Sequence, residues 1–216
     1  MWIVKLGGSL LGSPELPRWL DTLVKISDGK VLIVPGGGLF ADAVREAQQR
    51  TKVSDVVAHE LALLAMDQFG LLLAGINTKL VTASSELEIA ERGWQHRCIV
   101  WLPSRMVLAD DGVPRNWQVT SDSISAWLAN KIGAEHLVLV KSKSLESYLK
   151  PESCLEPANV SQQNLQQDNL IDDAFADFFI GNHQTWIVNK LDYGLFEQGL
   201  NLPLLMQSSL GVNQSY

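Results

Sequence analysis

Cysteine is scarce in this sequence. Cys98 and Cys154 stand far apart in 216 residues, and neither belongs to a CxxC pair or to a Cys/His pair with metal-ligand spacing. That pattern argues against a disulfide framework and a structural zinc site, and two free thiols in a reducing compartment are expected. Basic residues are also in short supply: 17 Lys and Arg face 24 Asp and Glu, for a net charge of −7 and a pI near 5.0. Gripping a nucleic-acid backbone requires a basic footprint, so no nucleic-acid partner is expected, although a local cationic pocket for a nucleotide is still allowed. No basic stretch leads into an apolar run at the start, so no signal peptide is expected. The longest apolar stretch, LALLAMDQFGLLLAGI, is interrupted by Asp67 and Gln68 and reads as too short and too polar to span a bilayer. The expected setting is the cytoplasm, with no membrane partner.

The sequence does contain an alternation of two periodicities. Residues 2–6 (WIVKL) and 31–35 (VLIVP) are short continuous apolar runs of the kind buried in parallel sheets, and each is followed by glycines. Between them, residues 14–26 place Leu16, Trp19, Leu20, Leu23 and Val24 at helical spacing, with Ser13 as the expected cap and Pro14 in the first position. Helices are expected over 39–50, 53–75, 85–93 and 121–132, the last capped by Thr120 and closed by Gly133. Strands are expected over 79–83, 97–103, 136–141 and 185–189. The segment 142–169 is polar and reads as a surface excursion, followed by an amphipathic helix over 170–179 and a short helix over 193–198. Strand, loop and helix repeating in this order imply βαβ units and a mainly parallel α/β sheet, with ligands outside the carboxyl ends of its strands. The helix over 53–75 is apolar on most sides, which suits a position between layers or at a subunit contact.

Three features bear on chemistry. Neither glycine loop is a Walker A or a GxGxxG motif. Even so, Gly7 and Gly8 with Ser9, and Gly36, Gly37 and Gly38, allow backbone N–H groups to approach an oxyanion unobstructed, and the second set opens a helix. A tight strand-to-helix turn explains one such loop equally well, but two in one chain favour phosphate. Lys5 lies inside an apolar strand, where an ammonium is costly unless it meets an anion; beside Gly7 and Gly8 it would stabilise charge on a transferring phosphoryl group. The alternative is a lysine that snorkels at a strand end. Asp122 falls in the first turn of a helix, as capping carboxylates do. It would also be able to point across the sheet ends and hold lysines, with Thr120 and Ser121 offering hydroxyl and N–H groups to a substrate.

VKLGGSLL, VPGGGLFADAVR, VTSDSISAWLA and LVLVKS, in this order and spacing, resemble the amino acid kinase family. The resemblance covers residues 1 to about 141 and implies a three-layer αβα sandwich around a mainly parallel sheet, formed as a single domain over 1–216. Residues 1–135 would form the acceptor side and 136–216 a shortened nucleotide side. The resemblance further implies ATP and Mg²⁺, and transfer of the γ-phosphoryl to a small-molecule acceptor. Lys5 matches the lysine on the transferring phosphate, and Gly7, Gly8 and Ser9 match the nucleotide-phosphate loop. Gly36, Gly37 and Gly38 match the acceptor loop, Asp122 the organiser of the catalytic lysines, and Gln118 and Thr120 acceptor-facing positions. No metal-ligating side chain is assigned. The sequence departs from the family where many relatives carry an Asp/Gly-rich loop after the strand matching HLVLV: here it reads KSKSLES, and Lys141 or Lys143 is left to supply the second cation.

In the branch of the family whose acceptors are phosphates, a histidine in the region of His59 contacts the acceptor phosphate; packing at a helix face is the alternative for this residue. AHELALLAMDQFG and NWQVTSDSISAWLA together resemble a subgroup linked to methanofuran biosynthesis, which acts on (5-(aminomethyl)furan-3-yl)methyl phosphate. Trp117 is suited to line a pocket for a flat ring. An amino acid or uridylate kinase is the competing enzyme reading, and a non-catalytic nucleotide- or oxyanion-binding protein is the competing reading from another class. The apolar 56–76 stretch suggests a homo-oligomer, a dimer or larger.

Overall fold

Apolar runs too short for buried helices form the centre of the sheet. In the computed structural model, which describes residues 1–145, 147–148, 158–179 and 183–213, β1 (Trp2–Leu6) and β2 (Val31–Pro35) are buried at every position. β3 (Leu80–Ala83), β4 (Cys98–Trp101), β5 (His136–Lys141), β6 (Ala158–Ser161), β7 (Gln184–Asn189) and β8 (Leu210–Asn213) complete an eight-stranded sheet in the order β3-β4-β2-β1-β5-β7-β8-β6. All neighbours pair in parallel except β7 and β8, which are antiparallel.

Side chains alternate across the sheet and build two hydrophobic layers. Val4, Leu6, Val138 and Val140 pack with Trp19, Leu20 and Leu23 of α1 (Glu15–Ile26). Ile3, Leu137 and Leu139 point the other way and pack with Ile124 and Leu128 of α6 (Ser121–Ile132). Between them in sequence lie α2 (Gly38–Thr51), α3 (Asp55–Ile76), α4 (Glu86–Trp94) and α5 (Ser104–Leu108). After β5 come α7 (Gln162–Gln167), α8 (Phe175–Phe178) and α9 (Leu202–Ser208). The result is the expected α/β sandwich, and the same alternation sends Lys5 and Lys141 to the α6 face.

α3 begins at Ser54, whose hydroxyl accepts the Val57 N–H, and runs for 22 residues. That length corrects the reading of this stretch as too short to cross a membrane, since by length and composition alone the helix would qualify. Here one face of it, including Ala58, Leu63, Met66, Phe69 and Leu73, is buried. A Cβ on Gly70 would meet Leu102 at 2.8 Å, so the helix backbone lies close to the sheet end. Val57, Leu61, Leu64 and Leu71 remain exposed.

Other expectations need correction. The polar 142–169 segment contains β6 and α7. The helix expected over 170–179 shrinks to the single turn of α8, because Asp172 turns inward to serve another element and interrupts the helical spacing. The helix over 193–198 is a 3₁₀ turn at Asp192–Phe196, with Phe196 packed against Trp19 at 5.3 Å. Ser13 does not cap α1 with its side chain; its backbone carbonyl receives the Leu16 N–H. α9 and β8 carry no pattern strong enough to be expected from sequence. Cys98 is a buried free thiol, pushed up to about 12 by burial, whereas Cys154 lies outside the described residues.

Candidate active site

Parallel pairing of β1 with β2 brings the two glycine loops side by side. Leu6 lies opposite Pro35, and the Gly36 N–H donates to the Leu6 carbonyl at 2.9 Å. The loops then meet backbone to backbone: a Cβ on Gly8 would sit 2.1 Å from the Gly38 nitrogen, and one on Gly36 would sit 2.5 Å from the Gly8 nitrogen. Gly38 has φ +54°, a left-handed conformation that favours glycine. Gly7 packs below, where a Cβ would lie 3.2 Å from the Val140 carbonyl oxygen. Ser9 reaches toward the end of β5, with its Oγ 3.0 Å from Ser142 Oγ.

The sheet register places the two lysines. Lys5 pairs with Leu139, so Lys141 lies one pleat further along on the same face. Both ammoniums converge on Asp122 in the first turn of α6: Lys5 Nζ is 2.8 Å from Oδ1, and Lys141 Nζ donates to Oδ2 at 2.6 Å. Lys5 and Asp122 are each only 5% exposed. Burial by itself would raise the Asp122 carboxyl, but the two ammoniums override it and hold the group at about 2. Lys141 is pulled down to about 8, first by burial and then by the like charge of Lys5, with Asp122 and Asp172 opposing. The sequence left Lys141 and Lys143 as alternatives for the second cation. The structure brings Lys141 to Asp122, whereas Lys143 is exposed and its ammonium rests on the Asp168 carbonyl.

Beside this cluster opens a cavity of about 350 Å³. Gly8, Ser9, Gly37, Gly38, His59, Thr120 and Ser121, all singled out in the sequence, line it together with Trp117. Leu63, Met66, Val119 and Ile124 supply apolar wall. His59 comes from α3 and is buried; its Nδ1 lies 3.0 Å from the Asn116 carbonyl, which can only accept, so the ring hydrogen sits there. Among the described residues its Nε2 has no hydrogen-bond partner. Burial lowers the imidazole pKa, and the Arg115 charge lowers it further against the Asn116 carbonyl and Glu60. Trp117 is held by a bond from Nε1 to Gln48 Oε1 at 2.7 Å, with the Arg45 guanidinium 4.6 Å from its ring centroid. Gly36 and Gln118 stand outside this lining: Gly36 backs Gly8, and the exposed Gln118 uses its backbone, accepting the Ala174 N–H at 3.3 Å.

Sequence reasoning missed Asp42 and Asp172. Asp42 lines the cavity and accepts from Arg45 at 2.8 Å. Asp172 accepts from both Thr120 N–H and Thr120 hydroxyl, and from both Ser123 N–H and Ser123 hydroxyl. Thr120 therefore occupies the cap position of α6 without capping it, which corrects the expectation; the carboxylate is the stronger acceptor and displaces the hydroxyl from that task. Burial raises the Asp172 pKa and the Asp122 charge adds to that, while the Ser123 and Thr120 donors lower it. The only sequence signal was a pair of aspartates in an apolar segment, LIDDAF.

An α/β sandwich with paired lysines and two abutting glycine loops at the carboxyl ends of its first strands is an anion-handling architecture. The profile of the amino acid kinase family matches residues 1–144, and the chain belongs to that family. Over 140 residues it is 29% identical to the (5-(aminomethyl)furan-3-yl)methyl phosphate kinase of Methanocaldococcus jannaschii, covering 64% of this chain and 64% of that protein. The chain thus aligns with a little under two thirds of that relative's length. Among solved structures, the uridylate kinase from Archaeoglobus fulgidus superimposes with a TM-score of 0.68 at 16% identity, covering 98% of this chain and 99% of that one. The UMP kinase from Ureaplasma parvum gives 0.68 at 15% identity, with 98% of each chain covered. These likenesses extend the shared fold past residue 144, through the part with the polar excursion.

Proposed function

We propose that the chain is an ATP-dependent kinase that transfers the γ-phosphoryl group to a small acceptor that is itself a phosphate monoester, (5-(aminomethyl)furan-3-yl)methyl phosphate or a close analogue. The observation that carries this reading is the convergence of Lys5 and Lys141 on Asp122 beneath two abutting glycine loops, next to a small cavity. The cavity volume of about 350 Å³ lies at the lower end of the range of about 300–1,000 Å³ usual for ligand pockets. The named substrate of the Methanocaldococcus relative is a small, flat phosphate ester, and the apolar wall with Trp117 suits such a ring. On this reading residues 1–135 hold the acceptor and 136–216 the nucleotide, within one domain in the cytoplasm.

Gly8, Ser9, Gly37 and Gly38 line the open cavity, and the close approach of the two loops, which a Cβ at Gly8 or Gly36 would prevent, would let their backbone N–H groups share the ATP phosphates. Among the described residues no group of three His, Cys, Asp or Glu gathers to hold a metal ion. Mg²⁺, which usually keeps several waters and binds substrate phosphates, would supply charge neutralisation here. In the transfer an acceptor phosphate oxygen forms the new bond to the γ-phosphorus, and the bond to the bridging β–γ oxygen breaks, leaving ADP with its electron pair. The attacking oxygen is already anionic, so no general base is needed. Lys5 and Lys141 face the charge spread over the equatorial oxygens, and Asp122 keeps both in place. His59 Nε2 is free to meet the acceptor, and a dianion beside it would draw a proton onto the ring.

We also propose a homo-oligomer built on the exposed apolar face of α3, where Val57, Leu61, Leu64 and Leu71 share one side. The kinase reading is tested by ADP release from ATP and Mg²⁺ across an acceptor panel of phosphorylated furans, UMP and free amino acids. Turnover with a phosphorylated furan and not with UMP or amino acids supports it. Turnover with UMP only or amino acids only, or nucleotide binding without any turnover, overturns it.

A further inference from the structure

Asp172 lies far from α6 in sequence, yet it satisfies the start of that helix. Four donors at residues 120 and 123 converge on its two oxygens. Two of them are backbone N–H groups, Thr120's own and one of the orphan donors of the first helical turn. Asp122 sits between those residues. Among the described residues the side-chain polar partners of its carboxylate are the ammoniums of Lys5 and Lys141, so the direction in which it meets them depends on how the first turn of α6 is held. The same segment grips α6 again at its far end, where Asn130 Nδ2 donates to the Phe178 carbonyl at 2.6 Å. In between, the Ala174 N–H bonds the Gln118 carbonyl. Residues 172–178 thus clasp α6 from the loop that precedes it to its last turn.

We infer that Asp172 is a positioning residue: it caps α6 from outside the helix and so aims Asp122 at Lys5 and Lys141, and Thr120 at the acceptor cavity. This rests on the kinase reading for its consequence in catalysis, but the geometric claim does not. Three charged groups face Lys141, namely Asp122 from α6, Lys5 from β1 and Asp172 from the clasp. Loss of aim at Asp122 removes the nearest anion, so the Lys141 ammonium releases its proton at lower pH.

Asp172 also acts on Lys141 through its own charge, and two variants separate the effects. Asp172→Asn removes the charge and part of the cap; Asp172→Glu keeps the charge but sets the carboxylate a methylene too far along in a packed site. Titration of Lys141, followed through its ε-carbon signal in ¹³C-lysine-labelled protein and assigned with Lys141→Arg, is expected to move down by about half a unit or more in both variants. With a working acceptor, kcat is expected to fall about a hundred-fold in both, as for a misplaced catalytic group. Asn130→Ala loosens the clasp away from the site and leaves kcat and the titration unchanged. If either variant fails to fold, Ser123→Ala, which removes one donor and no charge, must shift the same signal downward. A Glu variant that titrates like the unaltered protein makes Asp172 a charge and not a cap, and unchanged titration in all variants overturns any role; either result sinks the inference. Absence of turnover in the unaltered protein refutes the kinase reading and leaves the titration to decide the positioning.

Discussion

Gly8 and Gly38 touch through their backbones, leaving no room for a single carbon between them. A methyl group on Gly8 would lie 2.1 Å from the Gly38 nitrogen and 2.3 Å from its Cα. Backbone cannot rotate aside as a side-chain end can, so Gly8→Ala must push the two loops apart. The expected cost is about 1–3 kcal/mol, as for other overpacking changes, with loss of ATP binding. Gly75 offers the control: it sits inside α3, and a methyl group there would meet nothing within 4 Å. Gly75→Ala is expected to stabilise by up to about 1 kcal/mol from helix propensity alone. Thermal unfolding of both variants, with nucleotide titrations, checks the pair; a Gly8→Ala protein that binds ATP normally would refute the loop contact as a phosphate cradle.

Asp122 neutralises two buried ammoniums at once, so removing its charge strands both. Asp122→Asn is expected to cost about 3–5 kcal/mol, the range for breaking a buried ion pair from one side. Its pKa falls from an ordinary 3.8 to about 2 in the folded chain. A depressed carboxyl contributes stability above pH 3.8 that disappears as pH falls toward 2. Denaturant unfolding between about pH 5 and 2 should therefore show an acid-sensitive component in the unaltered chain that Asp122→Asn lacks. Equal acid sensitivity in both would argue that the pairing is not maintained in solution.

How much of this was legible in advance depends on the range of the interaction. The strands β1 and β2 and their glycines could be read because burial on both faces leaves continuous apolar runs, and tight turns demand glycine. Lys5 stood out as an ammonium inside such a run. Asp122 could be placed on its helix, but a capping role and a lysine-holding role predict the same residue type at that position. Asp172 was hidden because its partners lie about fifty residues earlier, and no local pattern records a contact made across that distance. The expected helix over 170–179 failed for the same reason: periodicity registers the apolar residues and is silent on an aspartate recruited by another element. Lys141 and Lys143 could not be separated until strand register showed which of them shares a face with Lys5.

Activity and stability are expected to part company above about pH 8. Lys141 falls from an ordinary 10.5 to about 8 on folding, because burial penalises its charge more than Asp122 recovers. Between those two values the unfolded chain holds the proton and the folded chain does not, so this group's contribution to stability rises with pH through that window. Catalysis needs the ammonium, so kcat is expected to decline as pH passes about 8 while the melting temperature gains from the same deprotonation. Lys141→Met keeps most of the stem and drops the charge. It is expected to lose about a hundred-fold or more in kcat, with the limb near pH 8 gone from what remains. An unaltered limb in that variant would assign the titration to another group.

The exposed face of α3 makes the last prediction. A 22-residue helix whose inner face is already seated on the sheet still shows Leu61, Leu64 and Leu71 to solvent, at 40%, 46% and 56% exposure. Single exposed leucines are ordinary, but a row along one helix is the signature of a covered face. Helices that pair along such rows interlock through residues spaced three and four apart, and Leu64 and Leu71 are seven apart on the same side. The double change Leu64→Glu and Leu71→Glu places two carboxylates there, each of which would meet its own symmetry mate or neighbour in a twofold contact. Sedimentation velocity should give an assembled species for the unaltered chain and a monomer for the double variant, with the melting temperature of the variant no longer dependent on concentration. A monomeric unaltered chain at every concentration, or a variant that stays assembled, would remove α3 from the contact.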